Sequence, residues 1–395
     1  MSDYDFFHGV TVARVDTGAR TISLPSSSII GLVDTIPQGW AALANPGAAQ
    51  PNEATLLTTK AEAIKAFGSS SAITQQALAI FDIAQAVVVA VAVEETGQTS
   101  TLTSAVIGGV KVDGGRTGLQ ALLDGKSKFN AQPRLLVAPG HSRTLAVANA
   151  MGVLAGRLKA IAIIDGPGTT DEAAIEYAGS FGGERFYMVD PGVKYWSTSA
   201  SADLDAPASA YAAAMFALTD ANVGFWASPS NKVIPNITGT TRPIEFLDGD
   251  KTCRANLLNT SLIATIIRDD GFRLWGNRTL SSDSKWSFVT RVRTVDMVMD
   301  AILYGHKWAI DRPINKTYVK DVTEGLSAFM RTLKSRGAVI NFEVYVDTDK
   351  TTADTLAQGI AYWRVRFTDV PPAENPVFEV EVTNDWMTDV LDTRS

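Results

Sequence analysis

Between Arg134 and Thr219 the chain alternates short apolar runs with longer amphipathic ones, and this restricts the fold more than any other feature. Arg134–Ala138 (RLLVA), Ala160–Asp165 (AIAIID) and Arg185–Val189 (RFYMV) have the length and composition of buried strands. His141–Leu158, Thr170–Ala178 and Ala208–Thr219 have helical spacing, with Val147, Met151 and Leu154 on one stripe. Thr170 and Asp171 form a helix start, with Glu172 in the first turn. Strands joined through helices can lie side by side only as a largely parallel sheet, and such a sheet needs helices on both faces. Upstream, Ser26–Asp34 and Ala86–Val93 read as further strands, Lys60–Phe67 and Ser71–Ile83 as helices, and Glu94–Thr103 as polar loop. The spacing predicts an α/β domain over residues 26–250.

The remainder predicts a separate α+β domain over residues 251–377. Gly224–Asp250 is an irregular connector, and Asp269-Asp270-Gly271 is a turn before the short strand Phe272–Trp275. Phe288–Ile310 reads as a helix with Val292, Val295, Met299, Ile302 and Leu303 on one face. Tyr318–Ser335 is a second, with Val322, Leu326, Phe329, Met330 and Leu333 aligned. Gly337–Tyr345 and Gly359–Val370 alternate at period two as strands. Phe378–Val382 reads as a third, with Phe378, Val380 and Val382 on one side and Glu379 and Glu381 on the other. The acidic end still carries Trp386, Met387, Val390 and Leu391, which need a surface to pack on. Residues 1–25 hold Phe6, Phe7, Val10, Val12 and Val15 in an extended pattern that is marginal as an isolated ribbon. Both ends, 1–25 and 378–395, are expected to add strands to a sheet built partly by another copy of the chain.

At 395 residues the chain is long enough for two or three domains, and 46% hydrophobic with 19% charged residues marks a folded protein. The net charge of -7 argues against general nucleic-acid binding. Cys253 is the single cysteine, which leaves no disulfide framework and makes a buried thiol the expected role. Met1–Phe7 lacks the basic start of a signal peptide, and the longest apolar run, Ala84–Val93, is too short to span a membrane. Residues 268–336 hold 13 Lys/Arg against 8 Asp/Glu, whereas 337–395 hold 4 against 11. A basic helical layer beside an acidic strand segment suits attachment between copies.

The sequence offers little catalytic chemistry. Asp165-Gly166-Pro167-Gly168 follows a strand, but Pro167 removes an amide and the dinucleotide and Walker patterns are absent. Pro139-Gly140-His141-Ser142 imitates a nucleophile loop, yet Ser142 or Thr144 is expected to serve as a local helix cap. His8, His141 and His306 share no ligand spacing, and adjacent Asp269 and Asp270 would diverge on their turn rather than converge on a substrate. No catalytic, metal or cofactor site is assigned. Arg268, Arg273 and Arg278 are expected to form intrachain ion pairs.

Longer stretches carry a resemblance. FHGVTVARVDTGART (Phe7–Thr21), GLQALLDGKSKFNAQPRLLVAPG (Gly118–Gly140), RPIEFLDGD (Arg242–Asp250), IIRDDGFRLWGNRTLSSD (Ile266–Asp283), HKWAIDRPI (His306–Ile314) and FTDVPPAENP (Phe367–Pro376) resemble contractile tail sheath proteins. The similarity is to the sheaths of R-type pyocins and of temperate phages with contractile tails, and it runs along essentially the whole chain. It implies a non-enzymatic subunit without cofactors, made and assembled in the bacterial cytoplasm and released by lysis. Its implied partners are other copies in stacked six-subunit rings, the inner tail tube, and baseplate and tail terminator proteins, with no direct nucleic acid and no membrane insertion. The resemblance makes the ends exchanged β arms, the α/β domain outward-facing, and the C-terminal α+β domain inward-facing. The receiving sheet would include Ile340, Phe342, Val344, Tyr362, Arg364 and Arg366. Arg291, Arg293 and Lys320, on the basic helices, are the expected tube-facing residues. A different structural component of a contractile particle and an α/β enzyme are the competing readings.

Overall fold

The computed structural model describes residues 22–43 and 46–387. Phe6, Phe7, Val10, Val12, Val15, Val390 and Leu391, and with them the expected N-terminal strand, lie outside the described residues.

The predicted parallel sheet is present. Strands β1 (Ile30–Ile36), β2 (Ala54–Leu57), β3 (Val88–Glu94), β4 (Leu135–Val137), β5 (Ile161–Asp165) and β6 (Phe186–Val189) form one sheet in the order β2-β3-β1-β4-β5-β6. Every pairing is parallel except that of edge strand β2 with β3. β1 is buried along its whole length, as a central parallel strand covered on both faces must be. One face packs against helices Lys60–Phe67, Ala72–Ile83 and Ala208–Asn222, and the other against Leu145–Leu158 and Asp171–Ala178. Local chemistry sets the helix starts. Thr59 and Glu62 form a capping box, Ser71 accepts from the Thr74 amide, and Thr170 accepts from the Ala173 amide.

One segment differs. The expected polar loop Glu94–Thr103 gives way to a helix, Thr99–Ile107. Its Thr- and Ser-rich start has low helix propensity and no side-chain cap, so packing of Val106, Leu102 and Ala105 against the sheet layer decides its conformation.

Three small sheets follow. β7 (Val193–Ser197) and β8 (Ala202–Ala206) form a hairpin. β9 (Lys232–Val233) pairs with β12 (Phe272–Trp275), and β10 (Gly239–Thr240) with β7. β11 (Thr265–Arg268) and β12 (Phe272–Trp275) close through the predicted Asp269–Gly271 turn, where Asp270 and Gly271 have positive φ. β13 (Val339–Val346) and β14 (Trp363–Asp369) form an antiparallel ribbon.

The cores do not part at residue 250. The backbones of Met188 and Asp190 hydrogen-bond to Ala264, which prolongs the parallel sheet into the β11 segment. Ala264, Ile266, Leu274, Val289 and Val292 therefore belong to the α/β core. A second core gathers Ile22, Phe225, Met297, Ala301, Phe329, Met330 and Leu333, with Phe342, Val344, Val365 and Phe367 packed on it.

The helix Val289–Gly305 joins the two cores, and its buried face is not the predicted one. Met299 and Leu303 are exposed, whereas Arg293, Asp296 and Asp300 are buried. Each buried charge meets an opposite one from the α/β body. Arg293 Nη1 donates to Asp220 Oδ1 at 2.9 Å, Arg185 Nη2 to Asp296 Oδ1 at 3.0 Å, and Lys159 Nζ to Asp300 Oδ1 at 2.7 Å. Arg134 also pairs with Asp300. The helix is clamped by charge where the apolar pattern pointed elsewhere. The following helix, Lys316–Ser335, buries Val322, Leu326, Phe329, Met330 and Leu333 as expected, with Asn315 as its cap.

Candidate assembly surfaces

The C-terminal edge of a parallel sheet is where α/β enzymes gather their chemistry. Here the ends of β1 and β5 and the loops after β4 and β6 bring Asp34, Asp165, His141, Ser142 and Asp190 to that edge, and internal donors engage all three carboxylates. Asp165 accepts from the Gly140 amide at 3.0 Å, the Ser209 amide at 2.8 Å and the Ser209 and Ser142 hydroxyls at 2.7 and 3.1 Å. Asp190 accepts from the Gly168 amide at 2.6 Å and is paired with Arg242. His141 Nε2 lies 3.1 Å from Asp34 Oδ1. Burial pushes the Asp34 carboxyl above its usual range, and contact with His141 and the Thr35 amide only partly offsets this.

The Ser142 oxygen is directed at β5 rather than at His141. It donates to Asp165 and accepts from the Asp165 amide at 2.9 Å, so no histidine–serine relay exists. This also corrects the expected cap: Thr144 occupies the N-cap position of Leu145–Leu158 without a side-chain cap bond, and Ser142 ties two strands' loops together instead. Nearby, Arg242 and Arg254 converge on Asp171, which fastens the connector and the Arg254–Thr260 helix to the body. Burial raises the Asp171 carboxyl, but the hydrogen bonds and charges of Arg254 and Arg242 outweigh it and hold the group below the usual carboxylate value. Cys253 is buried.

The less satisfied surfaces lie at the C-terminal end. The β13–β14 ribbon has only two strands among the described residues, so each has one open edge. Its inner face presents the pairs Phe342–Phe367 and Val344–Val365 toward the second core, and the next pair, Val346–Trp363, sets the Trp363 ring against Tyr318. Its outer face carries Arg364, 2.9 Å from Asp347, and Arg366, 3.1 Å from Glu343. Ile340 and Tyr362 are exposed. Five of the six expected receiving residues thus lie on the ribbon, with Tyr362 immediately before β14, and they divide between its faces. Phe342 and Val344 already pack on their own chain, and Ile340, Tyr362, Arg364 and Arg366 face outward.

After β14 the chain runs through Pro371 and Pro372 and is held by Arg278 bonding Glu374 at 2.6 and 2.8 Å. Among the described residues Phe378–Val382 pairs with no strand, and Phe378, Val380 and Val382 are 86%, 88% and 92% exposed. Trp386 and Met387 are exposed as well. An apolar groove of about 750 Å³, lined by Ile314, Val319, Val346 and Leu356, opens beside the end of β13. Large apolar side chains left exposed in this number are characteristic of an unfilled contact surface.

The basic residues behave differently from one another. Arg293 is 4% exposed and committed to Asp220, so it cannot face a partner; the apolar stripe misled by placing it on the open side of its helix. Arg291 is held by Asp369 at 3.0 Å and by the Lys285 carbonyl at 2.9 Å. Lys320 is well exposed, with Glu324 3.7 Å away on the same helix.

The phage tail sheath protein central domain matches residues 114–280, and the phage tail sheath C-terminal domain matches residues 281–383. A prophage major tail sheath protein of Pseudomonas aeruginosa (strain UCBPP-PA14) is 67% identical over 387 residues, covering 98% of this chain and 99% of that protein. The tail sheath protein of Escherichia phage P2 is 31% identical over 398 residues, covering 99% of this chain and 98% of that protein. In fold, the chain is similar to the sheath of the extracellular contractile injection system PVC in its contracted state. The TM-score is 0.70 at 18% identity, over 96% of this chain and 98% of that one. The contracted helical sheath of the anti-feeding prophage gives 0.68 at 19% identity, over 94% and 98%. Full-length identity to two sheath proteins, the consecutive matches to both sheath domains and the shared fold together make this chain a member of the phage tail sheath family, a structural family and not an enzyme family.

Proposed function

We propose that the chain polymerises into a helical sheath of stacked six-subunit rings, each copy lending its terminal segments as β-strands to its neighbours, and that this sheath shortens to drive an inner tube through a target envelope. One observation carries the reading: Phe378, Val380 and Val382 are exposed at alternate positions, in a chain whose own β13–β14 ribbon has open edges. A strand added to such an edge gains backbone hydrogen bonds and buries one row of side chains while Glu379 and Glu381 stay in water. Trp386 and Met387 would then find apolar surface on the receiving copy, for which the groove beside β13 is suited. Residues 1–25 are proposed to act in the same way.

In this scheme the α/β body faces outward and the second core, with the ribbon, faces the tube. Of the basic residues first considered, Lys320 is the most exposed and suits a tube contact, paired only loosely with Glu324 on its own helix; Arg291 contributes only at its edge. Baseplate and terminator proteins would bound the stack, which is assembled in the bacterial cytoplasm and freed by lysis. Contraction needs no nucleotide if the shorter state buries more surface. A further ~100–200 Å² of apolar area per copy corresponds to about 2.5–5 kcal/mol, an upper bound because ordering and desolvation oppose it.

Electron microscopy of the purified chain tests the reading. Long cylinders are expected, and deletion of residues 1–20 or 384–395 should abolish them while leaving the thermal unfolding of the monomer in place. Normal cylinders after both deletions would refute strand lending.

A further inference from the structure

We infer, on the assembly reading above, that Arg278 is a positioning residue for the lent C-terminal segment. With Arg291 holding the near end, it pins the linker on the far side of Pro371-Pro372, so that the segment pivots after Glu374 and not at the prolines. On the near side, Asp369 closes β14, is buried, and has both carboxylate oxygens 3.0 Å from Arg291 Nε. On the far side, Arg278 Nε and Nη2 donate to the two oxygens of Glu374 at 2.8 and 2.6 Å. A two-point bond between planar groups fixes orientation as well as distance. Between the pins, both prolines have a fixed φ, and each restricts the residue before it to extended backbone. Few soft dihedrals remain from Asp369 to Glu374.

Both arginines are themselves held. Arg278 is bridged to Phe288 through the backbone, and its guanidinium lies 5.5 Å from the Phe288 ring centre. Arg291 also donates to the Lys285 carbonyl at 2.9 Å. Phe288 caps the Val289–Gly305 helix and Arg291 lies in its first turn, and Arg293, Asp296 and Asp300 clamp that helix to the α/β body. The departure point of the segment is thereby fixed to the body. Beyond it, Asn375–Val382 is exposed throughout and, among the described residues, makes no hydrogen bond or ion pair. The Arg278–Glu374 pair is itself 39% and 38% exposed, and pairs so exposed add little to the stability of a subunit. What it sets is the tether. Phe378 lies four residues past Glu374 but nine past Asp369. Four residues reach at most ~14 Å and nine ~32 Å, so loss of the far pin should dilute the segment at its neighbour about three- to tenfold.

Nitroxide labels on the full-length protein test the pin in the unpolymerised subunit. Cys253 is buried, which leaves an introduced cysteine as the labelled site. The label should move slowly at Ala373→Cys and fast at Val377→Cys on the nanosecond scale, and Glu374→Ala should make the first as fast as the second. Glu374→Ala should also raise the critical concentration for polymer about three- to tenfold, with thermal unfolding unchanged. Arg278→Glu should raise it too, and adding Glu374→Arg should bring it back, which a loss of packing would not do. Equal mobility of the two labels in the parent overturns the inference, as does an unchanged critical concentration in Glu374→Ala. A parent that forms no polymer overturns the assembly reading and the role of Arg278 with it. A parent and variants that all polymerise alike overturn the role of Arg278 alone.

Discussion

Val380 separates the stability of the subunit from that of the polymer. In the single chain it is 88% exposed and belongs to no strand, so Val380→Asp removes no packing from the monomer. Substitutions at such positions change stability by no more than about 0.5 kcal/mol. In the proposed joint the same side chain is buried between Phe378 and Val382, on the apolar row of a lent strand. Full burial of a valine is worth about 1.5–3 kcal/mol, and an aspartate there adds a desolvation penalty. Each joint should therefore weaken at least ~10- to 150-fold in association constant. The assay pairs two readings on one preparation: thermal unfolding of unpolymerised subunits, and the fraction of protein that sediments as polymer across a concentration series. Unchanged unfolding with a higher critical concentration is expected. Glu379→Gln, on the other side of the segment, should leave both readings nearly as they were. The reasoning is refuted if Val380→Asp destabilises the monomer, which would place the side chain in its own fold, or if polymer forms at the parent concentration.

Further outcomes follow from the charged side chains. Asp300→Ala leaves Arg134 and Lys159 without their carboxylate and should lower the stability of the subunit by about 3–5 kcal/mol in urea unfolding. Arg293→Glu places a second anion against Asp220 and should reduce soluble folded protein, whereas Lys320→Glu should leave unfolding unchanged and weaken only co-sedimentation with the tube protein. Asp171→Asn should reduce stability near neutral pH. The folded-state value of Asp171 is depressed, so its contribution is present above the unfolded value of about 4 and is lost as pH falls through the folded one; the gap between parent and variant in urea unfolding should close below that pH.

Much of the fold was legible because local and tertiary preferences agree over long stretches. The strand–helix alternation from Arg134 onward required a parallel sheet, and the Lys316–Ser335 helix presented one apolar stripe that the second core uses. The Val289–Gly305 helix failed the same test for a physical reason. Its buried face carries Arg293, Asp296 and Asp300, and only the distant Asp220, Arg185, Arg134 and Lys159 make that burial tolerable. Pairings between residues more than seventy positions apart leave no trace in helical periodicity. The Thr99–Ile107 helix was hidden for the opposite reason, since its Thr and Ser residues favour loops and packing overrides them. The Phe378–Val382 segment shows a further limit. Its alternation reads as a strand, yet among the described residues it pairs with none, because a strand requires a second strand and the pattern does not say whose.

A cryo-EM map of polymer grown from the full-length chain addresses the lent strand without an intermediary. Phe378–Val382 should lie hydrogen-bonded along a ribbon edge of an adjacent copy, with Phe378, Val380 and Val382 turned inward and both glutamates toward solvent. A map in which that segment folds against its own subunit, or hangs free between copies, would contradict the account.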